Sequence, residues 1–492
     1  MSVSRRSFLG WGGAAVATAV LAGCGSNWFS AGSGTGSHGA LLASRIPLPD
    51  PFRVPLPIPP NLEPRDGTIE IAARRSAVEI LPGRTTEILG YEGAFPGPTI
   101  RARSGEELQV RLQNDSEIDT VLHLHGGKTP AEHDGYPTDL LVPGAERTYV
   151  YPLEQRAAPL WYHDHAMDFT GPNVYAGLAG MAIVGSDDED ALGLPTGDRD
   201  LPLVIADRSF DDDGAFMYPL ADPSRARPGV TMRYHGGVLG DCVLVNGAPW
   251  PVLEVDAARY RFRILNASNA RRFQLSLDHG VAFTQVGTDL GLLERPVART
   301  SIAMAGAERA DVVIDFSGVP VGTRVTMTNT LEHGGPGQVM QFHVVRAAAS
   351  DDTRVPEVLS TIEELDRAAV DVTRDLHFSL GATGSGHHGR ADWTVNGLTF
   401  HDGDVFTSRL GTLERWRLSS DVHHPVHAHL LGFQVAAPGG DGLAWKDTID
   451  LLPGSGAEVL VPIEGYTGRY VLHCHNLEHE DMMMMVNFSV VA

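Results

Sequence analysis

One seven-residue pattern recurs along the chain at a nearly constant interval. Leu108-Gln109-Val110-Arg111-Leu112-Gln113-Asn114 returns as Tyr260-Arg261-Phe262-Arg263-Ile264-Leu265-Asn266, and again as Leu413-Glu414-Arg415-Trp416-Arg417-Leu418-Ser419. The matched arginines, Arg111, Arg263 and Arg417, lie 152 and then 154 residues apart. Apolar and polar residues alternate within each copy, the pattern of a strand with one buried face. Three copies at this interval predict three related β units of about 150 residues each.

Composition agrees. Only 20% of the residues are charged, while 55 glycines and 32 prolines punctuate short apolar runs, which suits an all-β chain with many turns and excludes a coiled coil or a disordered polymer. The net charge of −23 disfavours a nucleic acid partner. We expect β units at 67–190, 198–348 and 372–492, with a linker at 349–371. Ser360-Thr361-Ile362-Glu363 fits a capping box, so a short helix is expected to start in that linker.

The first and third copies are each followed by histidine pairs. His123 and His125 stand in H-L-H-G, His163 and His165 in W-Y-H-D-H-A, and His424, His427 and His429 in H-P-V-H-A-H. The second copy is followed instead by Phe273-Gln274-Leu275-Ser276-Leu277, with no such pair. The last motif is Tyr470-Val471-Leu472-His473-Cys474-His475-Asn476-Leu477-Glu478-His479, followed by four methionines. In an extended strand neighbouring side chains point to opposite faces, so His473 and His475 project one way and Cys474 the other. One segment then serves two metal centres, with the backbone as a short covalent path between them. Imidazole suits several transition metals; an added thiolate and thioether narrow the choice towards copper.

The N-terminus reads as an export signal. Ser4-Arg5-Arg6-Ser7-Phe8-Leu9 looks like a twin-arginine motif, and an apolar stretch follows from Trp11 to Ala22, too short for a comfortable membrane span. Leu21-Ala22-Gly23-Cys24 looks like a lipobox, with cleavage before Cys24 and lipid on its thiol. Residues 1–23 are thus expected to be a signal peptide, and the mature protein to be held at the cell envelope outside the cytoplasm. Within 24–66, residues 25–45 read as a flexible tether, and Ile46–Pro64 as an extended proline-rich arm. With Cys24 given to lipid and Cys474 to metal, Cys242 has no disulfide partner and is expected to be a small buried hydrophobe.

The histidine motifs, in this order and spacing, resemble the multicopper oxidases. Phe95-Pro96-Gly97-Pro98-Thr99-Ile100, His123-Leu124-His125-Gly126-Gly127, Trp161-Tyr162-His163-Asp164-His165-Ala166 and Leu244-Val245-Asn246-Gly247 look most like the bacterial spore-coat laccase and bilirubin oxidase branch. The resemblance implies three consecutive cupredoxin domains, each a Greek-key β barrel, and four copper ions. It implies that His424, Cys474 and His479 bind a type 1 copper with Met484 as weak axial ligand. It places His123 and His427 on a type 2 copper. His125, His163 and His475 would bind one type 3 copper, and His165, His429 and His473 the other.

By the same resemblance, Asp134 and Glu480 stand near the oxygen-reducing cluster, where they are expected to assist proton transfer. Met482, Met483 and Met485 are expected to pack the core. The activity implied is oxidation of phenols, aromatic amines or bilirubin-like pigments by dioxygen. The alternatives are a cell-envelope oxidase of cuprous or other metal ions and, further off, a copper-free envelope scaffold. The stretch before His424 lacks the long methionine-rich insertion common among cuprous oxidases, which weighs against the metal-ion reading.

Overall fold

The computed structural model describes residues 37–381, 392–440 and 442–492. The chain is all-β, and its strands pair into three successive two-sheet units. The first joins sheets of four and five strands, the second sheets of seven and five, and the third sheets of six and five. Each has its own apolar core, built around Tyr149 and Tyr162 in the first, Phe262 and Phe342 in the second, and Trp416 and Phe488 in the third.

The repeated pattern forms the same element three times. Leu108–Asp115 pairs parallel with Thr68–Glu79 and antiparallel with Glu146–Tyr151. Arg259–Asn266 pairs parallel with Asp200–Arg208 and antiparallel with Arg309–Asp315. Leu413–Ser420 pairs parallel with Val372–Leu380 and antiparallel with Gly456–Pro462. The surroundings of the matched arginines differ. Arg111 and Arg417 are solvent-exposed, whereas Arg263 is buried against Asp200, Glu189 and Asp311.

Three expectations meet the structure differently. The arm at Ile46–Pro64 turns at Pro51–Phe52 and then packs along the first two units: Leu56 sinks into the second core, its amide donates to the Val252 carbonyl, and Asn61–Leu62 adds a parallel strand beside Gly97–Arg103. Cys242 is fully buried in that same core. The tether is shorter than expected. Ala40–Leu42 is a strand, parallel to Val238–Gly240, and Ser44 bonds to the Asp241 carboxylate, so the chain is already docked there. The signal motifs, Cys24 and two adjacent histidines, His387 and His388, lie outside the described residues.

No helix starts at Ser360. Its hydroxyl donates to the carbonyls of Leu293 and Leu292 on the neighbouring unit, and Leu359 and Ile362 are buried there. The serine that would cap a helix is spent on a carbonyl of another strand, and burial of two apolar residues holds the linker extended. Among the described residues no helix is long and apolar enough to cross a membrane.

Candidate metal centres

Four strand ends carry the histidine motifs to one place. His123 and His125 lie on Leu122–His125, where His123 is in register with His163 and His125 with Trp161 on Ala158–Asp164. On the third unit, His427 is in register with His473, and Val426 with Cys474. His165, His429 and His475 each sit just beyond a strand end and keep the facing of their partners. Ring centroids within each H-x-H pair are 5.2–5.9 Å apart, so every pair shares a face. Rings from the first and third units interleave: His123 stacks on His429 at 3.8 Å and His125 on His427 at 3.6 Å.

All eight imidazoles are buried. Burial and neighbouring imidazoles push most of them well below the ordinary histidine value, with His165 at about 4 and His475 at about 3. His123, His125, His163, His165, His427, His429 and His475 are therefore neutral at pH 7, the state in which imidazole binds a metal. Backbone carbonyls hold several rings in one tautomer. His123 Nδ1 donates to the Asp134 carbonyl (2.6 Å), His163 Nδ1 to that of Asp164 (2.8 Å) and His427 Nδ1 to that of Asp447 (2.8 Å). Their Nε2 atoms are left buried without a hydrogen-bond partner. His429 Nδ1 donates to the Asp134 carboxylate at 2.7 Å, and His473 Nδ1 lies 3.2 Å from Glu480.

The Nε2 lone pairs of His429 and His473 then face each other at 3.3 Å, with His165 Nε2 3.4 Å from the latter. Converging lone pairs repel unless a cation lies between them, so this donor set fits a metal. Donor atoms of His165, His429 and His473 all lie within 4.8 Å of one another, as do those of His123, His427 and His429 and those of His123, His125 and His163. His475 is set slightly apart: its ring is 5.0 Å from His125 and 5.3 Å from His163.

Cys474 turns to the opposite face. Its Sγ lies 3.4 Å from His424 Nδ1 and 3.7 Å from His479 Nδ1, and those two nitrogens are 3.1 Å apart. His424 donates through Nε2 to Asp421 (3.0 Å), which leaves its Nδ1 lone pair directed at the thiol. Burial pushes the Cys474 thiol up, so a thiolate here requires a cation within bonding reach. His479 lies on the short helix Leu477–Asp481, whose N-cap side chain, Asn476, accepts from the His479 amide. Met484 is fully buried; its amide donates to the His479 carbonyl and its carbonyl accepts from the Cys474 amide. Met482, Met483 and Met485 are buried as well.

Both carboxylates singled out in the sequence stand beside these rings. Burial raises the Asp134 carboxyl well above its ordinary value. Burial alone would raise Glu480 too, but the imidazoles of His473 and His165 outweigh it and hold that carboxyl low. Several neighbours carried no signal in the sequence. Trp393 stacks on His479 at 3.8 Å, and Trp161 on His163 at 4.2 Å. Asp447 bonds His125, and Arg309 bonds Asp447. Asp164 was legible only as the residue between two histidines. Strand alternation turns it away from them, onto the amides of Val121 and Ala166.

The chain matches the family models for multicopper oxidases over residues 72–189 and 377–492. It is 35% identical to a laccase of Bacillus subtilis, over 87% of this chain and 96% of that protein. It is 32% identical to a bilirubin oxidase of Albifimbria verrucaria, over 92% of this chain and 84% of that one. The crystal structure of the McoA multicopper oxidase of Aquifex aeolicus superposes with a TM-score of 0.79 at 31% identity, covering 89% of this chain and 99% of that one. The chain therefore belongs to the multicopper oxidase family, in the branch of the Bacillus laccases, and is an oxidase.

Proposed function

We propose that the chain is a laccase-type oxidase of phenols, aromatic amines or bilirubin-like pigments, holding four coppers. In this reading His424, Cys474 and His479 would hold the type 1 copper, with Met484 as a further, weak ligand, and His123 and His427 would hold the type 2 copper. His125, His163 and His475 hold one type 3 copper; His165, His429 and His473 hold the other. Copper supplies one-electron oxidation of a donor at the thiolate site and four-electron reduction of dioxygen to water at the cluster.

The residues of the chain do the rest. The peptide units joining Cys474 to His473 and His475 link the two donor sets covalently. Asp134 and Glu480, in contact with His429 and His473, assist the transfer of the protons that water formation consumes, Glu480 as an anionic relay. Trp393 and Trp161 seal ring faces from solvent. The observation that carries this reading is the segment 473–475, whose thiol meets one donor set while both flanking imidazoles meet another. The twin-arginine and lipobox motifs support export and a lipid anchor at Cys24.

The test is dioxygen uptake by copper-loaded protein given a phenol, bilirubin or cuprous ion. Turnover on the organic donors is expected, with four coppers per chain and an intense thiolate-to-copper absorption band. Fewer coppers, no such band, or turnover on cuprous ion alone would overturn the reading.

A further inference from the structure

We propose that Arg309, on the unit that carries no ligand histidine, is a positioning residue for the oxygen-reducing centre: through Asp447 it fixes which nitrogen of His125 faces the metal. The inference rests on the copper reading above.

Arg309 is fully buried and every N–H it has is used. Nε donates to the Pro159 carbonyl of the first unit (2.8 Å). Nη1 donates to the Ala307 carbonyl (2.9 Å) and to Asp447 Oδ1 (2.8 Å). Nη2 donates to the Asp289 carbonyl (3.2 Å) and to Asp447 Oδ2. A planar guanidinium held by three carbonyls presents a rigid fork, so the Asp447 carboxylate has one orientation.

That orientation decides a tautomer. Asp447 Oδ1 lies 3.1 Å from His125 Nε2, and Thr448 Oγ1, which donates to the same carboxylate oxygen, lies 3.2 Å from it. The acceptors here oblige Nε2 to carry the proton, leaving Nδ1 as the lone pair. Nδ1 is the buried atom of His125 without a hydrogen-bond partner. His123, His163, His427, His429 and His473 are held the other way round, with Nδ1 occupied. Gly126 marks how tightly this corner is built. A Cβ there would meet Asp447 Oδ2 at 2.5 Å and Arg309 Nη2 at 2.9 Å, and its φ of +83° favours glycine in any case.

Asp447→Asn separates positioning from simple adhesion. The fork bonds both carboxylate oxygens, so either amide orientation sets an NH2 against Arg309: turned to Nη1 it also faces His125 Nε2 and forces the proton onto Nδ1, and turned to Nη2 it breaks the fork that oriented the acceptor. Copper affinity at the cluster should fall roughly 10- to 100-fold, with loss of the near-ultraviolet absorption of the type 3 pair that His125 helps to hold, while the type 1 band persists. Adding Arg309→Gln frees the amide to rotate, so the double variant should recover cluster copper; Arg309→Met with Asp447→Asn should do the same.

A double variant that binds cluster copper no better than Asp447→Asn alone would make Arg309 a structural link only. Should the doubles fail to fold, the near-isosteric single variant decides. An unchanged type 3 absorption in Asp447→Asn overturns the proposal, and its selective loss supports it. A wild-type protein without a type 1 band would instead fail the copper reading.

Discussion

Asp421 accepts a hydrogen bond from His424 Nε2 at 3.0 Å and is itself about one-third exposed, so it is the solvent end of the thiolate site. The other imidazole of that site, His479, is fully buried under Trp393, with His38 6.0 Å away. A donor therefore meets the His424 edge and its carboxylate first. Burial would raise this carboxyl, but bonds from His424 and from the Leu380 and Val422 amides hold it below its ordinary value. Asp421→Asn removes a negative charge beside the copper ligand. Redox titration should show the type 1 potential rising by on the order of 50 mV, the scale of one rim charge in a high effective dielectric. An unchanged potential would place electron entry elsewhere.

Met484 tests the axial assignment. It is fully buried, with its backbone bonded to both His479 and Cys474. Met484→Leu should raise the type 1 potential while the thiolate band persists, because a thioether ligand favours the cupric state less weakly than a non-coordinating side chain does. Met482→Leu should leave the potential where it was. The opposite pattern would move the axial role to Met482.

The two carboxylates should act on oxygen reduction and not on donor oxidation. Glu480→Ala and Asp134→Ala are each expected to slow dioxygen consumption roughly 100-fold, the usual scale for losing a positioned acid or base. Copper content and the rate of anaerobic type 1 reduction should stay near wild type. Full dioxygen turnover in both variants would remove the proton role.

Copper-depleted protein should be acid-sensitive in a defined direction. His123, His125, His163, His165, His427, His429 and His475 have folded values below the unfolded value of 6.5, with His165 at about 4 and His475 at about 3. The unfolded chain binds the extra protons, so stability is complete above 6.5 and is lost as pH falls through the folded values. Each such ring adds about 1.4 kcal/mol per pH unit to the slope. The Tm of copper-free protein should drop steeply between about pH 6.5 and about pH 4. A flat Tm over that window would contradict the neutral buried cluster.

The repeated arginines give a stability test. Arg263 is buried and paired with Asp200 (2.9 Å), Glu189 (2.7 Å) and Asp311 (3.2 Å), so Arg263→Met leaves carboxylates uncompensated and should cost about 3–5 kcal/mol. Arg111 pairs with Glu70 at the surface, where Arg111→Met should cost at most about 1 kcal/mol. Denaturant unfolding midpoints check both. Equal shifts would mean that the two copies share one environment.

The outer architecture and the clustering of the histidines with Cys474 were legible because each rests on local pattern. Alternation marked Leu108–Asp115 and its two copies as strands, and the same alternation separated Cys474 from His473 and His475. Arg309, Asp447 and Trp393 were not legible. Their roles come from contacts far apart in sequence, such as Arg309 to Pro159 and to Asp447, which no periodicity encodes. The docking of Ala40–Leu42 was missed for a related reason: a Gly- and Ser-rich flank reads as flexible until a partner strand is known. The linker failed at Ser360 because a cap motif offers a hydrogen-bonding option that a neighbouring carbonyl can outbid.

The two centres differ in how many bodies build them. His424, Cys474 and His479 all belong to one folded unit, whereas the eight other imidazoles come half from the first and half from the third. On the proposed copper assignment, any loosening that parts those two units dismantles the oxygen chemistry at once, yet leaves the blue chromophore whole. Colour and respiration-like turnover therefore need not fail together, and a sample that still looks intact to the eye can already be dead to oxygen.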